Sequence, residues 1–349
     1  MTVFHWIIFA VSVLLFAASA LTVAYPVFFG LSKTHLTDKY TWGLNIQGFS
    51  FLSAAACGIL GVMSIFIIFF HFSPEAFELA STIAFACLIS AQMLMLADLG
   101  KPFRAVKIIT SKKFTSPLTL DFISLAFLTV LSFVYMFGIF MDEHVVLRIW
   151  AYATLFFVLL CLLAHVLLFV LRTPPGLTVR SFDALTTVSY SIWAGAAAIS
   201  LIASYAFYRE FFFGAFLTAT LFVFATQTGV LVSAPLTRQK PHNLISVIMA
   251  FIVLLLLAGR GIVLQDVWLL DVFTCILALS ATFIEKVQTV LNYQKPSILP
   301  APYGMSEQEK PYRPSFQEIG NLIAGFALIV CIVYAVIILK AYTIPWIFG

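Results

Sequence analysis

Ten long apolar runs alternate with short polar segments along the whole chain. About 20 apolar residues in a helix cross the hydrocarbon core of a bilayer, and nearly every run reaches that length. The pattern therefore predicts an all-α polytopic membrane protein with about ten transmembrane helices. The predicted spans cover residues 4–30, 45–70, 77–98, 118–141, 146–171, 183–207, 211–234, 243–260, 267–289 and 319–341.

The spacing of the runs suggests how the helices are grouped. Residues 41–172 and 173–290 would each form a four-helix bundle, with a flanking first helix in 1–40 and a flanking last helix in 319–349. The stretch 291–318 between them is polar and rich in proline, so we predict an extended loop that can dock a partner.

The first helix of each predicted bundle carries a stripe of small residues. The stripes are Ser53 to Gly58 and Ala194 to Ala198. Small side chains let membrane helices approach closely, so both stripes are predicted to lie in helix–helix contacts. Paired helical repeats also occur in transporters, so this feature leaves the class of function open.

Composition agrees with a membrane protein. Hydrophobic residues make up 62%, charged residues 10%, and the mean hydropathy is +1.06. The first 31 residues have neither a basic region nor a small-residue cleavage site, so we interpret them as a retained helix and not a signal peptide. The cysteines show no CxxC spacing, so they predict packing residues and no iron–sulfur ligand set. They are Cys57, Cys87, Cys161, Cys275 and Cys331.

Lysine and arginine are unevenly distributed between the two sets of loops. Fifteen of the 19 lysines and arginines fall in loops after odd-numbered spans, among them five between residues 101 and 113, and also Lys286. The other four are Arg148, Arg209, Arg260 and Lys340. The positive-inside rule then places the odd loops in the cytoplasm of a prokaryote and both termini outside it.

The polar residues inside the spans cluster at the predicted cytoplasmic ends. Ionisable groups within a bilayer are costly and usually functional. A quinone head group needs hydrogen bonds at two carbonyls and a source of protons, which amides, imidazole and carboxylate can supply. The outer half has fewer polar groups, and there Arg260 can balance Asp271. The candidate quinone-binding residues are Asn45, Gln47, Gln92, Asp98, Arg104, Asp121, His165 and Gln227.

Within this set, Asp98 and His165 are the candidate catalytic residues. Asp98 ends a helix, where a carboxylate opposes the dipole, so it needs a partner such as Arg104. His165 is either a proton donor or a satisfied buried histidine. Asp121 lies one turn into its span and is equally explained as a helix-start carboxylate. Glu285 beside Lys286 is better explained as the end of its helix.

The loop after the third span has an ordered set of local signals. Gly100-Lys101-Pro102 predicts a helix stop, and Ser116-Pro117 predicts a helix start. Together with Asp98, Arg104 and the upstream Trp42-Gly43, they resemble the membrane subunits of polysulfide reductase and its relatives, the NrfD-like family. The resemblance covers roughly residues 40 to 122 and beyond them rests on helix count.

This resemblance implies a subunit that binds menaquinone or ubiquinone and carries no haem or metal of its own. Electrons would pass through an iron–sulfur subunit, which in the family serves a molybdopterin or multihaem catalytic subunit. A bis-histidine haem needs two histidines at one depth, and only His165 lies well inside the predicted membrane. Nucleic acid is not an expected partner. The alternatives are a secondary transporter built from two repeats and a purely structural assembly subunit.

Overall fold

The computed structural model describes ten helical segments and the residues next to them, within residues 3–29, 42–72, 77–99, 116–137, 144–170, 183–203, 209–236, 244–262, 268–292 and 312–347. The helices are α1 (Val3–Phe29), α2 (Leu44–Phe70), α3 (Glu78–Asp98), α4 (Pro117–Phe137), α5 (His144–Val170), α6 (Asp183–Ala203), α7 (Arg209–Leu236), α8 (Leu244–Ile262), α9 (Trp268–Asn292) and α10 (Phe316–Ile347).

The described residues confirm the all-α membrane architecture. Nine of these helices are long and apolar enough to cross a bilayer, and α8 contributes a shorter apolar stretch, Leu244–Arg260. The predicted stop and start signals also lie where helices end and begin: α3 ends at Asp98 and α4 begins at Pro117. The Ser116 carbonyl accepts hydrogen bonds from the amides of Thr119 and Leu120, both at 3.0 Å.

Helix α2 lies at the centre of the molecule. It packs against α3, α5, α6 and α9, and 94% of its most apolar window is buried. Contacts among α2, α3, α4 and α5 form one group, and contacts among α6, α7, α8 and α9 form another. Helix α1 packs on α10, which packs on α3. The predicted domain boundaries themselves stay a prediction.

The two small-residue stripes face each other across the contact between α2 and α6. A Cβ atom added to Gly58 would lie 1.8 Å from the Ser191 carbonyl oxygen, and one added to Gly195 would lie 2.0 Å from Gly58. No side chain fits at either position, because both atoms would overlap backbone. The prediction that small residues permit close helix approach is therefore confirmed.

Since successive helices run antiparallel, the bundle has two distinct ends. We call the end where α3 and α9 finish and α2, α4 and α10 begin the Asp98 end. The opposite end, where α2 finishes and α3, α7 and α9 begin, is called the Asp271 end. All the candidate residues within the described segments lie in the half of their helix nearer the Asp98 end. Gln47, Asp98 and Asp121 lie within two turns of that end of their helices.

Candidate functional site

A buried carboxylate–imidazole pair joins α4 and α5 near the Asp98 end. Asp121 is 0% exposed and His165 is 2% exposed. Nε2 of His165 lies 3.1 Å from Oδ1 of Asp121. The two residues are 44 positions apart, and the antiparallel packing of α4 on α5 brings them to one depth. Asp121 therefore pairs with a side chain on another helix, which a helix-start role alone does not explain.

The surroundings of this pair leave part of its hydrogen-bonding capacity unused. Ser53 of α2 lies 3.4 Å from Nε2 of His165, and the Cys161 thiol donates to Oδ1 of Asp121 at 3.5 Å. The Phe49 ring meets the imidazole edge to face. Among the described residues, Oδ2 of Asp121 and Nδ1 of His165 have no hydrogen-bond partner. Buried polar atoms are nearly always paired, so these two atoms mark a candidate ligand site.

The same residues have the donor types of a metal site. One potential ligand atom from each of Asp121, Cys161 and His165 lies within 4.8 Å of the others. The 3.1 Å separation between Asp121 and His165 is also that of an ordinary N–H···O hydrogen bond, and we interpret the group in that way. The expectation that this chain holds no metal stays a prediction.

A second polar group surrounds Asp98 at the end of α3. The carboxyl of Asp98 lies beside the amide of Asn45 and within electrostatic range of Glu318. Asn45 is fully buried, and its Oδ1 accepts a hydrogen bond from Nδ2 of Asn321 at 3.2 Å. Within the described part of the chain, Oδ1 of Asp98 has no hydrogen-bond partner. The sequence-based partner of Asp98, Arg104, lies outside the described residues.

Glu318 was not among the predicted site residues, although the sequence contains its signature. Ser315 and Glu318 form a capping box: the Glu318 amide donates to the Ser315 hydroxyl at 3.2 Å, and the Ser315 amide donates to Oε2 of Glu318 at 2.8 Å. Oε1 of Glu318 also accepts from the Leu44 amide at 3.2 Å. One carboxylate therefore caps α10 and fixes the first turn of α2.

Tyr312 completes this connection. Its hydroxyl donates to Oε1 of Glu318 at 2.6 Å and accepts from the Leu44 amide at 2.8 Å. Burial, with Glu318 beside the hydroxyl, raises the pKa of Tyr312, so it stays a donor. Residues 312–318 were predicted as part of a surface loop, but Tyr312 and Glu318 hydrogen-bond to the first turn of α2. The segment thus belongs to the candidate site.

The three glutamines predicted for one pocket are distributed differently. Gln47 on α2 is 2% exposed, and its Nε2 has no hydrogen-bond partner among the described residues. Gln92 donates to Thr129 of α4 at 2.7 Å. Gln227 lies on α7 in the second group of helices, beside Tyr190 of α6. The place of Gln227 in the predicted quinone pocket stays a prediction.

The prediction that Lys286 is a loop cation was wrong. Glu285 was expected near the end of its helix with Lys286 beyond it, but both lie inside α9, which continues to Asn292. Lys286 is 3% exposed, and its Nζ donates to the Thr187 carbonyl of α6 at 3.4 Å. The error arose because a charged pair was taken as a membrane boundary. Lys286 is therefore removed from the fifteen loop cations that were used to assign the membrane orientation, and the other fourteen remain.

The charged side chains at the Asp271 end form ion pairs with one another. The expected balance of Asp271 by Arg260 is confirmed, with Nε of Arg260 2.8 Å from Oδ1 of Asp271, and Arg209 binds the other oxygen at 2.5 Å. Arg260 also binds Glu210 at 2.8 Å. Two further polar pairs lie at this end, with Lys340 2.8 Å from Glu78 and Arg148 2.9 Å from His71.

Fold and site together define a polytopic α-helical membrane protein with partly unpaired buried polar groups near one end. A relative from Halobacterium salinarum, named as a putative membrane subunit of dimethyl sulfoxide reductase, is 35% identical over 101 residues. The match covers 28% of this chain and 23% of the relative, so the chain spans less than a quarter of that protein's length. No protein-family profile matches the chain.

Proposed function

We propose that this chain is the quinone-binding membrane anchor subunit of a multi-subunit respiratory oxidoreductase. The observation that carries the proposal is the buried Asp121–His165 pair, whose Oδ2 and Nδ1 atoms have no hydrogen-bond partner among the described residues. The relative named as a reductase membrane subunit supports the broader class. The resemblance of residues 40 to 122 to NrfD-like subunits supports the quinone.

The pair has the chemistry that a quinone head group requires. Reduction of a quinone takes two electrons and two protons, one at each carbonyl oxygen. His165 can donate a hydrogen bond and then a proton to one carbonyl, while Asp121 orients the ring and stabilises its protonated form. Asp98, with Asn45 beside it, lies at the same end of the bundle and can relay protons from the surface.

The proposed ligand is menaquinone or ubiquinone, and the proposed electron partner is an iron–sulfur subunit docked at the Asp98 end. The basic loops predicted for this end suit a complementary partner surface. That subunit would connect to a molybdopterin or multihaem catalytic subunit. The chain itself would supply binding, orientation and proton transfer, while the quinone supplies the redox chemistry.

A secondary transporter is the alternative. Transporters with repeated bundles often bind substrate where helices break near the membrane midplane. Each described helix is continuous from its first to its last residue, and the unpaired carboxyl oxygens of Asp98 and Asp121 lie near one end. These two observations favour the quinone subunit.

Two substitutions test the proposal in the intact complex. We expect Asp98→Asn and His165→Ala each to lower quinone-linked turnover about tenfold or more, because each removes a proton-transferring group. Turnover with a water-soluble acceptor that takes electrons directly from the partner subunit should persist. His5→Ala is the matched control, since His5 lies on α1 beside Tyr334, away from the site. Near-wild-type quinone-linked turnover in both variants would refute the assigned site.

The side of the membrane is tested separately. The charge distribution predicts that the loop containing Lys112, which lies outside the described residues, is cytoplasmic. A cysteine engineered there should resist an impermeant thiol reagent in intact cells and react after lysis. Efficient labelling of intact cells would reverse the orientation and place the partner outside the cytoplasm.

A further inference from the structure

Lys286 is a buried cation that the proposed quinone chemistry does not use. A lysine in the middle of packed membrane helices costs free energy unless its charge is compensated or has a function. Its ammonium donates to the Thr187 carbonyl at 3.4 Å, and that carbonyl also accepts from Ser191 at 2.8 Å. An ammonium has three donors, so one shared carbonyl only partly replaces its hydration.

The titratable groups around Lys286 come from several helices. His165 of α5 and Cys57 of α2 lie within its electrostatic range, and Glu285 is its neighbour on α9. Asp121 of α4 contacts His165 and so belongs to the same group of titratable side chains. Lys286 therefore lies between the Asp121–His165 pair and the helices of the second group.

Beyond Lys286 lies a further set of polar side chains, which we call the Tyr190 cluster: Tyr190, Gln227, Ser246 and Glu285. Tyr190 is 0% exposed, and its hydroxyl faces Gln227 and Ser246 with Glu285 in electrostatic range. Ser246 of α8 donates to Oε2 of Glu285 at 3.1 Å. Glu285 is half-buried, so this cluster extends from the fully buried Tyr190 towards the surface.

We propose that Lys286 transfers protons between the Asp121–His165 pair and the Tyr190 cluster, so that quinone chemistry in the first group of helices exchanges protons through the second. This inference rests on the proposed quinone function. It also explains Gln227, which the structure separates from the Asp121–His165 pair and places in the Tyr190 cluster.

The proton transfers balance without any further reactant. When a quinol is oxidised, its two electrons pass to the proposed partner subunit, one proton passes to His165, and the other leaves through the proposed relay at Asp98. The ammonium of Lys286 gives a proton to the carboxylate of Glu285, and the resulting neutral amine takes the proton of the His165 imidazolium. Reduction of a quinone runs the same transfers in reverse, with one proton entering at Glu285.

A structural role is the competing explanation. In that case the ammonium only balances Glu285 and holds α9 on α6 through Thr187. Lysine and arginine distinguish the two roles, because arginine keeps the positive charge but does not release its proton at accessible pH. A charge-only role survives the Lys286→Arg substitution, whereas proton transfer does not.

The experiment compares Lys286→Met, Lys286→Arg and Lys286→Ala in the intact complex, with quinone binding and quinone-linked turnover measured on each. We expect the first two variants to lose about tenfold to a hundredfold in turnover, as for loss of a general acid–base group, with quinone affinity near that of the wild type. Added propylamine should restore part of the Lys286→Ala turnover. Glu285→Gln should slow turnover and increase its solvent deuterium isotope effect.

Each other outcome contradicts a specific statement. Wild-type turnover in Lys286→Arg, or in Lys286→Met, would overturn proton transfer by Lys286 while leaving the quinone site intact. Failure of propylamine to restore any turnover in a Lys286→Ala variant that still binds quinone would do the same. Absence of quinone binding by the wild-type complex would instead overturn the proposed function, and this inference with it.

Discussion

The Asp271 end and the Asp98 end of the bundle both contain buried carboxylates, but the two ends differ in whether both carboxyl oxygens are paired. At the Asp271 end, Arg209 and Arg260 each contact one oxygen of a carboxylate that is 1% exposed. At the Asp98 end, Asp98 and Asp121 each keep a carboxyl oxygen with no hydrogen-bond partner among the described residues. A carboxylate with both oxygens paired fixes helices together, whereas one with an unpaired oxygen has capacity for a ligand or a proton.

Aromatic packing reinforces this difference. At the Asp271 end, Phe66 contacts Phe77, Phe211 and Phe212, with ring centroids 5.0 to 6.2 Å apart. This cluster packs α2, α3 and α7 together beside the ion pairs. At the Asp98 end, the Asp121–His165 pair has only Phe49 described as a ring contact. We infer that the Asp271 end serves stability and the Asp98 end serves function.

The largest expected effect on stability comes from removing the charge of Asp271 from its ion pairs. Asp271→Asn removes the buried negative charge that Arg209 and Arg260 both contact, which should destabilise the protein by on the order of 3 kcal/mol. The thermal midpoint of the purified complex measures this loss, and the folded fraction should retain quinone-linked turnover. Glu210→Gln is the matched control, because Glu210 is 77% exposed. A selective loss of turnover at unchanged stability would contradict the structural role.

A smaller effect is expected from the capping carboxylate at the Asp98 end. Glu318→Gln replaces one acceptor oxygen with a donor beside Leu44, Tyr312 and Ser315, at a cost of about 1–3 kcal/mol for a buried unsatisfied group. Hydrogen exchange should accelerate at the Leu44 amide and in the first turn of α10. Quinone-linked turnover should also decrease, because Asn45 is positioned by this turn. Unchanged exchange at the Leu44 amide would show that the cap does not hold α2.

The smallest effect is expected at the partly exposed ion pair of the Asp271 end. In this pair Lys340 is 19% exposed and Glu78 is 43% exposed. Water already solvates such charges, so Lys340→Met should change stability by less than about 1 kcal/mol. Thermal unfolding at low and high salt provides the measurement. A loss of stability as large as that of Asp271→Asn would show that solvent exposure does not distinguish the Lys340–Glu78 pair from the buried pairs of Asp271.

Local signals in the sequence were enough to predict the helices. The proline after Ser116 fixed the start of α4, and the small stripes containing Gly58 and Gly195 indicated a close helix contact, because both depend on residues near in sequence. The capping box of Ser315 and Glu318 was equally local and could have been recognised before the apolar run of α10. The burial of Lys286 could not be recognised in this way, because only helix packing shows which side chains of α9 face the interior.

The site depended on contacts that no local pattern encodes. Asp121 and His165 were both candidates, but their pairing requires the depth match between α4 and α5. Likewise, Gln92 and Gln227 have similar apparent depths in the sequence, yet one contacts Thr129 and the other lies beside Tyr190. Depth along a helix was therefore predictable from the sequence, whereas the direction in which each side chain points around the helix was not.

Photolabelling of the purified complex with an azidoquinone tests the central claim most directly. If the Asp121–His165 pair lines the quinone site, peptides of α2, α4 and α5 around Ser53, Asp121 and His165 should carry the label, and excess menaquinone or ubiquinone should prevent it. Labelling confined to lipid-facing residues such as Phe127 and Phe156, unaffected by excess quinone, would contradict the account.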